Sequence, residues 1–207
     1  MIPVDVLLVF ITASVALGLA PGPDNIFVLT QSALNGRKAG ILITLGLCTG
    51  LIVHTAAVAL GVAAIFQTSE IAFTGLKILG AVYLVYIAFL AFKASATNID
   101  QSVAEIAPGQ LYIRGIIMNI TNPKVAIFFL AFLPQFSDPA RGSVTIQILA
   151  FGGLFIVCAF MVMGSIAWFS GFLGDWLKTS DKAQIIMNRI AGTIFIGLAL
   201  RLMLTER

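Results

Sequence analysis

Charge is what this sequence has least of. Only 10% of its 207 residues are Asp, Glu, Lys or Arg, while 59% are hydrophobic; soluble domains carry about a quarter charged residues. The shortage excludes an ordinary water-soluble domain and points to an integral membrane protein. The net charge of +3 is small and the basic residues are scattered through short loops, so no nucleic-acid patch is visible. The two cysteines, Cys48 and Cys158, sit inside apolar runs without metal-ligand spacing. They read as buried small apolar residues. Missing altogether are Gly-x-x-x-x-Gly-Lys-Ser/Thr, His-Glu-x-x-His, Cys-x-x-Cys and Gly-x-Ser-x-Gly. No cofactor or metal is expected. An intramembrane enzyme using Asp24 and His54 as acid and base is not expected either, because a second carboxylate or nucleophile is lacking. Any transport should run on an ion gradient or on the substrate's own gradient.

Long apolar runs are what the chain does have. A span needs about 20 apolar residues, and six such spans are expected: Val4 to Leu34, within Ala39 to Ser69, Ile71 to Phe92, Tyr112 to Phe136, within Gly142 to Gly174, and Ala183 to Leu204. The runs are too long for strands and show no period-two alternation. The first run begins without a basic segment and continues into Pro21-Gly22-Pro23, so it is expected to be a retained helix rather than a secretory signal. A polar stretch from Lys93 to Leu111 separates two halves of one transmembrane domain, residues 1–93 and 112–207 with a linker at 94–111.

Six spans place both termini on one side. The loops after spans one, three and five hold Arg37, Lys38, Lys93, Arg114, Lys178, Lys182 and Arg189; the other side holds Lys77, Arg141, Arg201 and Arg207. The more basic side is normally cytoplasmic, so both termini are expected outside. Gly18/Gly22 and Gly46/Gly50 have the small-xxx-small spacing of close helix packing, either within one chain or between protomers of a homo-oligomer.

Two spans are interrupted. Pro21-Gly22-Pro23-Asp24-Asn25 breaks the first and Asn119-Ile120-Thr121-Asn122-Pro123-Lys124 breaks the fourth. Proline lacks a backbone donor and clashes with the preceding turn, so carbonyls around Leu17 to Ala20 should lose their helical partners. Gly22 is expected to supply conformational freedom, and new half-helices should start at Pro23 and Pro123, with Asn122 as a cap. Each break is followed by an apolar half-helix, a short turn and a long glycine-bearing helix. Helices three and six then match around Gly80 and Gly192. Three helices per half imply inverted repeats. Inverted repeats with broken helices are a transporter pattern whose breaks mark the binding site.

The charged residues at these breaks are the candidate site. A lysine at membrane depth costs about 2.5–3.5 kcal/mol on insertion scales. Lys124 either pairs with Asp24 or a substrate carboxylate, or snorkels outward. Asp24 either binds a substrate ammonium and exchanges a proton, or merely caps its half-helix. Free N–H groups at the half-helix starts can hold an anion. Asn25, Asn119 and Asn122 are candidate ligands of the substrate ammonium beside Asp24, and Asn119 is expected to satisfy carbonyls freed by the break. Gln31, two turns beyond Asp24, either lines the cavity or packs. His54 either relays protons or simply hydrogen-bonds a neighbour.

Three segments, Leu19 to Asn25, Gly36-Arg37-Lys38-Ala39-Gly40 and Gly46 to His54, closely resemble the LysE/RhtB family of amino-acid exporters. So do Leu76 to Leu84 and Asn119 to Lys124. The resemblance covers essentially the whole chain. It implies export of amino acids or related metabolites across a bacterial inner membrane, with the proton as coupling ion. The alternative is a passive channel or ion pathway for small solutes. Family members handle basic, hydroxylated, branched-chain or sulfur-containing amino acids, so the resemblance gives the class and not the substrate.

Overall fold

The computed structural model describes residues 2–20, 22–68, 70–94, 107–170 and 181–204. Pro21, Ser69 and Trp176 lie outside them, as do Lys178 and the middle of the polar linker. Every regular element among the described residues is helical. In chain order these are α1 (Val4–Leu19), α2 (Pro23–Asn35), α3 (Arg37–Thr68), α4 (Glu70–Lys93), α5 (Pro108–Thr121), α6 (Pro123–Ile127), α7 (Val144–Trp168) and α8 (Asp181–Leu204). Beyond α6 the chain continues through a π-helical turn, Phe128–Phe132, and a 3₁₀ turn, Leu133–Phe136.

The helix starts follow local chemistry. Proline occupies the first turn of α2, α5 and α6, where its missing N–H costs nothing. Asn122 caps α6 by accepting from the Lys124 backbone N–H, and Ser143 caps α7 by accepting from that of Ile146. Gly36 turns α2 into α3 at φ 84°, a left-handed conformation that favours glycine. Within α3 and α7, stretches of 25 residues (Arg37–Gly61 and Val144–Trp168) are long and apolar enough to cross a bilayer. At 1.5 Å per residue each covers about 37 Å, against a hydrocarbon core of about 30 Å. The pair α1 and α2 bends by 61° at its break, and the pair formed by α5 and Pro123–Phe136 by 52°. Each bent pair meets the same length and composition test if taken as one span. Helices α4 and α8 have 24 residues each.

The α3 helix packs on α5 along one face and on α7 along another, while α4 pairs with α8. Close approach explains the glycine spacing. A methyl group on Gly46 would strike the Tyr112 carbonyl and the Gly115 backbone, and one on Gly50 would lie 2.7 Å from the Asn119 side chain. The Gly46/Gly50 pair therefore seats α5 within the chain.

Among the described residues, buried apolar side chains form two clusters. The larger is phenylalanine-rich, joining Phe10, Phe128, Phe132, Phe136, Phe151 and Phe155, with Phe10 and Phe151 centroids 4.8 Å apart and Phe128 and Phe132 centroids 4.7 Å apart. The smaller gathers Val28, Ala39, Ile43, Leu47, Leu111 and Met163. A cavity lined by Leu17, Val125 and Phe155 of the first cluster and Leu47 and Met163 of the second lies at their junction.

Candidate functional site

Both helix breaks open onto this cavity. Its polar lining is Asp24 from the start of α2, Asn119 from the end of α5, and Lys124 from the start of α6. The space open to water centres is ≈ 30 Å³, enough for a water molecule or two. An amino acid would require the helices to part.

At the first break, the freed carbonyls are taken up by side chains. Lys124 Nζ donates to the Ala20 carbonyl at 3.0 Å and to the Leu17 carbonyl at 3.3 Å. Asn25 Nδ2 donates to the Gly18 carbonyl at 2.6 Å. Buried carbonyls need such partners, and two of the three bonds come from the single ammonium of Lys124. Gly22 adopts φ −169° and ψ 175°. That is extended backbone open to any residue, so the expected conformational freedom is not its role. A methyl group there would instead sit 3.2 Å from Lys124 Nζ. Glycine makes room for the ammonium.

Asp24 is 4% exposed, and its Oδ2 accepts from Asn122 Nδ2 at 2.8 Å. The residue at the N-cap position of α2 is Gly22, so Asp24 does not cap its half-helix. The lysine and the aspartate line one cavity without forming a direct ion pair; Lys124 donates instead to backbone carbonyls. Its ammonium points into the bundle, opposite to the snorkelling alternative. Asn122 serves both breaks at once, with Oδ1 capping α6 and Nδ2 holding Asp24.

At the second break, the Asn119 carbonyl accepts from the Asn122 backbone N–H at 3.1 Å and lies 3.2 Å from His54 Nε2. A carbonyl only accepts, so Nε2 carries the hydrogen. The Asn119 side chain does not satisfy freed carbonyls, contrary to expectation. It points toward Gly50, and its Oδ1 is buried without a partner. Asp24 Oδ1 and Asn25 Oδ1 are also buried and unpartnered. All three orphans are acceptors, an arrangement that suits a positively charged donor.

The structure thus brings together Asp24, Asn119, Asn122 and Lys124, with Asn25, Gly22, Pro23 and Pro123 shaping the breaks. Pro21 lies outside the described residues. Gln31 is fully buried on α2 but does not line the cavity; its Oε1 accepts from Asn35 Nδ2 at 2.7 Å. His54 stands behind Asn119 rather than in the chamber, its ring 5.6 Å from that of Phe129. Sequence reasoning missed the walls: Leu47, Cys48 and Leu51 on α3, and Phe155, Ala159 and Met163 on α7. Helical spacing was the available signal, since 155, 159 and 163 share one face. The α7 helix is apolar on nearly every side, so that face does not stand out.

Apolar helices long enough to cross a bilayer make this an integral membrane protein. A family model described as LysE type translocator matches residues 15–206, and the chain belongs to the LysE family, whose members are transporters rather than enzymes. It is 27% identical to a leucine efflux protein of Salmonella typhimurium strain LT2 over 195 residues, covering 93% of this chain and 92% of that one. It is 31% identical to a homoserine/homoserine lactone efflux protein of the same strain over 188 residues, covering 90% of each. No solved structure matches the chain.

Proposed function

We propose that the chain is a secondary active exporter of amino acids across the bacterial inner membrane, coupled to protons, with its site in the chamber between the two breaks. The observation that carries this reading is the meeting of Asp24, Asn119 and Lys124 around one cavity. The efflux relatives support the direction of transport and the class of cargo.

The unpaired acceptors Asp24 Oδ1 and Asn119 Oδ1 would receive the substrate's α-ammonium. Its α-carboxylate would draw Lys124 away from the Leu17 and Ala20 carbonyls. The first N–H of α6 is already held by Asn122, so the lysine rather than the α6 terminus supplies the anion contact. A proton arriving from outside competes for Asp24, weakens its grip on the ammonium and releases the amino acid. Rocking of one half against the other alternates access.

Six spans in two inverted halves, residues 1–93 and 112–207 of a single domain, are the architecture for this cycle. In its support, α1 packs on α7 of the second half while α5 packs on α3 of the first, the exchange a two-fold axis requires. Arg37 stacks over Trp168 at 4.7 Å and Arg114 over Phe27 at 4.9 Å. These contacts gather basic residues at one end, the cytoplasmic end in this reading, with both termini outside.

Reconstitution into proteoliposomes tests the reading. A carrier exchanges labelled for unlabelled amino acid without net flux, and Asp24→Asn should lose pH-gradient-driven export while remaining inserted. Net leakage without counterflow would make the protein a channel. Full pH-driven export by Asp24→Asn would remove the proton role.

A further inference from the structure

The chamber has a second half that the breaks do not supply. Beside the polar residues, α3 contributes Leu47, Cys48 and Leu51 to the lining, and α7 contributes Phe155, Ala159 and Met163. Residues 155, 159 and 163 follow each other at one-turn spacing, as do 47 and 51, so each helix presents a continuous stripe. Neither stripe carries a charge. Cys48 Sγ is directed at the Ile156 carbonyl, 4.0 Å away. Nearby hydroxyls on α3 are turned back onto their own helix: Thr44 Oγ1 donates to Gly40 O at 2.8 Å and Thr55 Oγ1 to Leu51 O at 2.7 Å. No polar group on this wall is left to receive a functional group.

We infer that the α3 and α7 stripes form the side-chain subsite, and that the substrate is an amino acid with an uncharged, apolar side chain of the leucine or methionine type. The inference rests on the exporter reading above and adds the identity of the side chain. A zwitterion with its head at Asp24 and Lys124 must place its side chain away from the breaks, between these two helices. A cationic or anionic side chain would be buried there with no counter-charge and no hydrogen-bond partner, which a low-dielectric site penalises heavily. A hydroxyl would be buried with only a thiol already aimed elsewhere. An apolar pocket discriminates against such polar neighbours less steeply, so homoserine should enter weakly rather than be refused.

Competition in proteoliposome counterflow decides the matter. Labelled leucine exchange should be inhibited by unlabelled leucine and methionine, more weakly by homoserine (by roughly 10–200-fold), and not by lysine or glutamate. Met163→Glu should then lower leucine exchange and admit lysine, whereas the uncharged Met163→Gln should not admit it. Lysine competing with the wild-type protein as well as leucine does would overturn the side-chain subsite and leave the exporter standing. Equal competition by homoserine and leucine would overturn it too. No counterflow with any amino acid would end the exporter reading and the subsite with it. Should Met163→Glu fail to insert, the wild-type competition series still decides.

Discussion

The two helix breaks use the same proline and solve opposite problems. The second break caps itself: Asn122 holds the start of its own half-helix through Oδ1, and the Asn119 carbonyl is held by the Asn122 N–H, with His54 of α3 beside it. The first break has no side chain at its cap, because Gly22 stands there. Its Leu17 and Ala20 carbonyls depend on Lys124 from the other half of the chain, and its carboxylate depends on Asn122. The first break takes most of its bonds from the second, which takes one in return, from His54 of the first half. The arrangement couples the halves through a few polar bonds in an otherwise apolar interior, so a change at the second break should be felt at the first.

The sharpest way to break the asymmetry is Asp24→Asn. The amide oxygen can still accept from Asn122, so the protein should insert normally, yet pH-driven export in vesicles should fall to background. Lys124→Met comes next. It removes the ammonium proposed to hold the substrate carboxylate, and a hydrogen bond to a charged group contributes about 1.5–3 kcal/mol, which corresponds to roughly 10–150-fold in substrate affinity. Equilibrium binding with labelled amino acid measures this, and unchanged affinity would return Lys124 to a purely structural role. Gly50→Ala presses the Asn119 side chain and should destabilise the α3–α5 seam by about 1–3 kcal/mol, read as a lowered Tm in detergent. Asn122→Ala removes a cap worth about 1 kcal/mol and also frees Asp24, so it should disturb transport more than its loss of Tm suggests. The smallest effect belongs to Arg141→Ala. Its 2.9 Å bridge to Asp138 is exposed, and such pairs contribute about 0–1 kcal/mol, so transport should be unaltered.

Much of the frame was legible in the sequence because proline inside an apolar run is unambiguous. The half-helices start at Pro23 and Pro123, as their N-terminal preference dictates. Asn122 was readable as a cap for the same reason. The partners of Lys124 were not readable, since backbone carbonyls carry no signature in the residue code. A carboxylate such as Asp24 looks like the natural mate for a lysine until the geometry is known. The bridge from Asn122 to Asp24 joins residues 98 apart, and no local pattern marks it. The π-helical turn at Phe128–Phe132 was also hidden; Phe-Phe-Leu-Ala-Phe reads as an ordinary apolar helix. Glycine at position 22 reads in the sequence as a source of backbone freedom, but its backbone is ordinary and its missing side chain is what matters.

A double-mutant cycle on Asp24 and Lys124 tests most directly whether a single molecule is held between the two breaks. Substrate affinity would be measured for the wild type, Asp24→Asn, Lys124→Met and the double variant. If both side chains grip opposite ends of one amino acid, the losses will be non-additive by about 0.5–3 kcal/mol. Losses that simply add, within about 0.3–0.5 kcal/mol, would contradict one substrate held by both side chains.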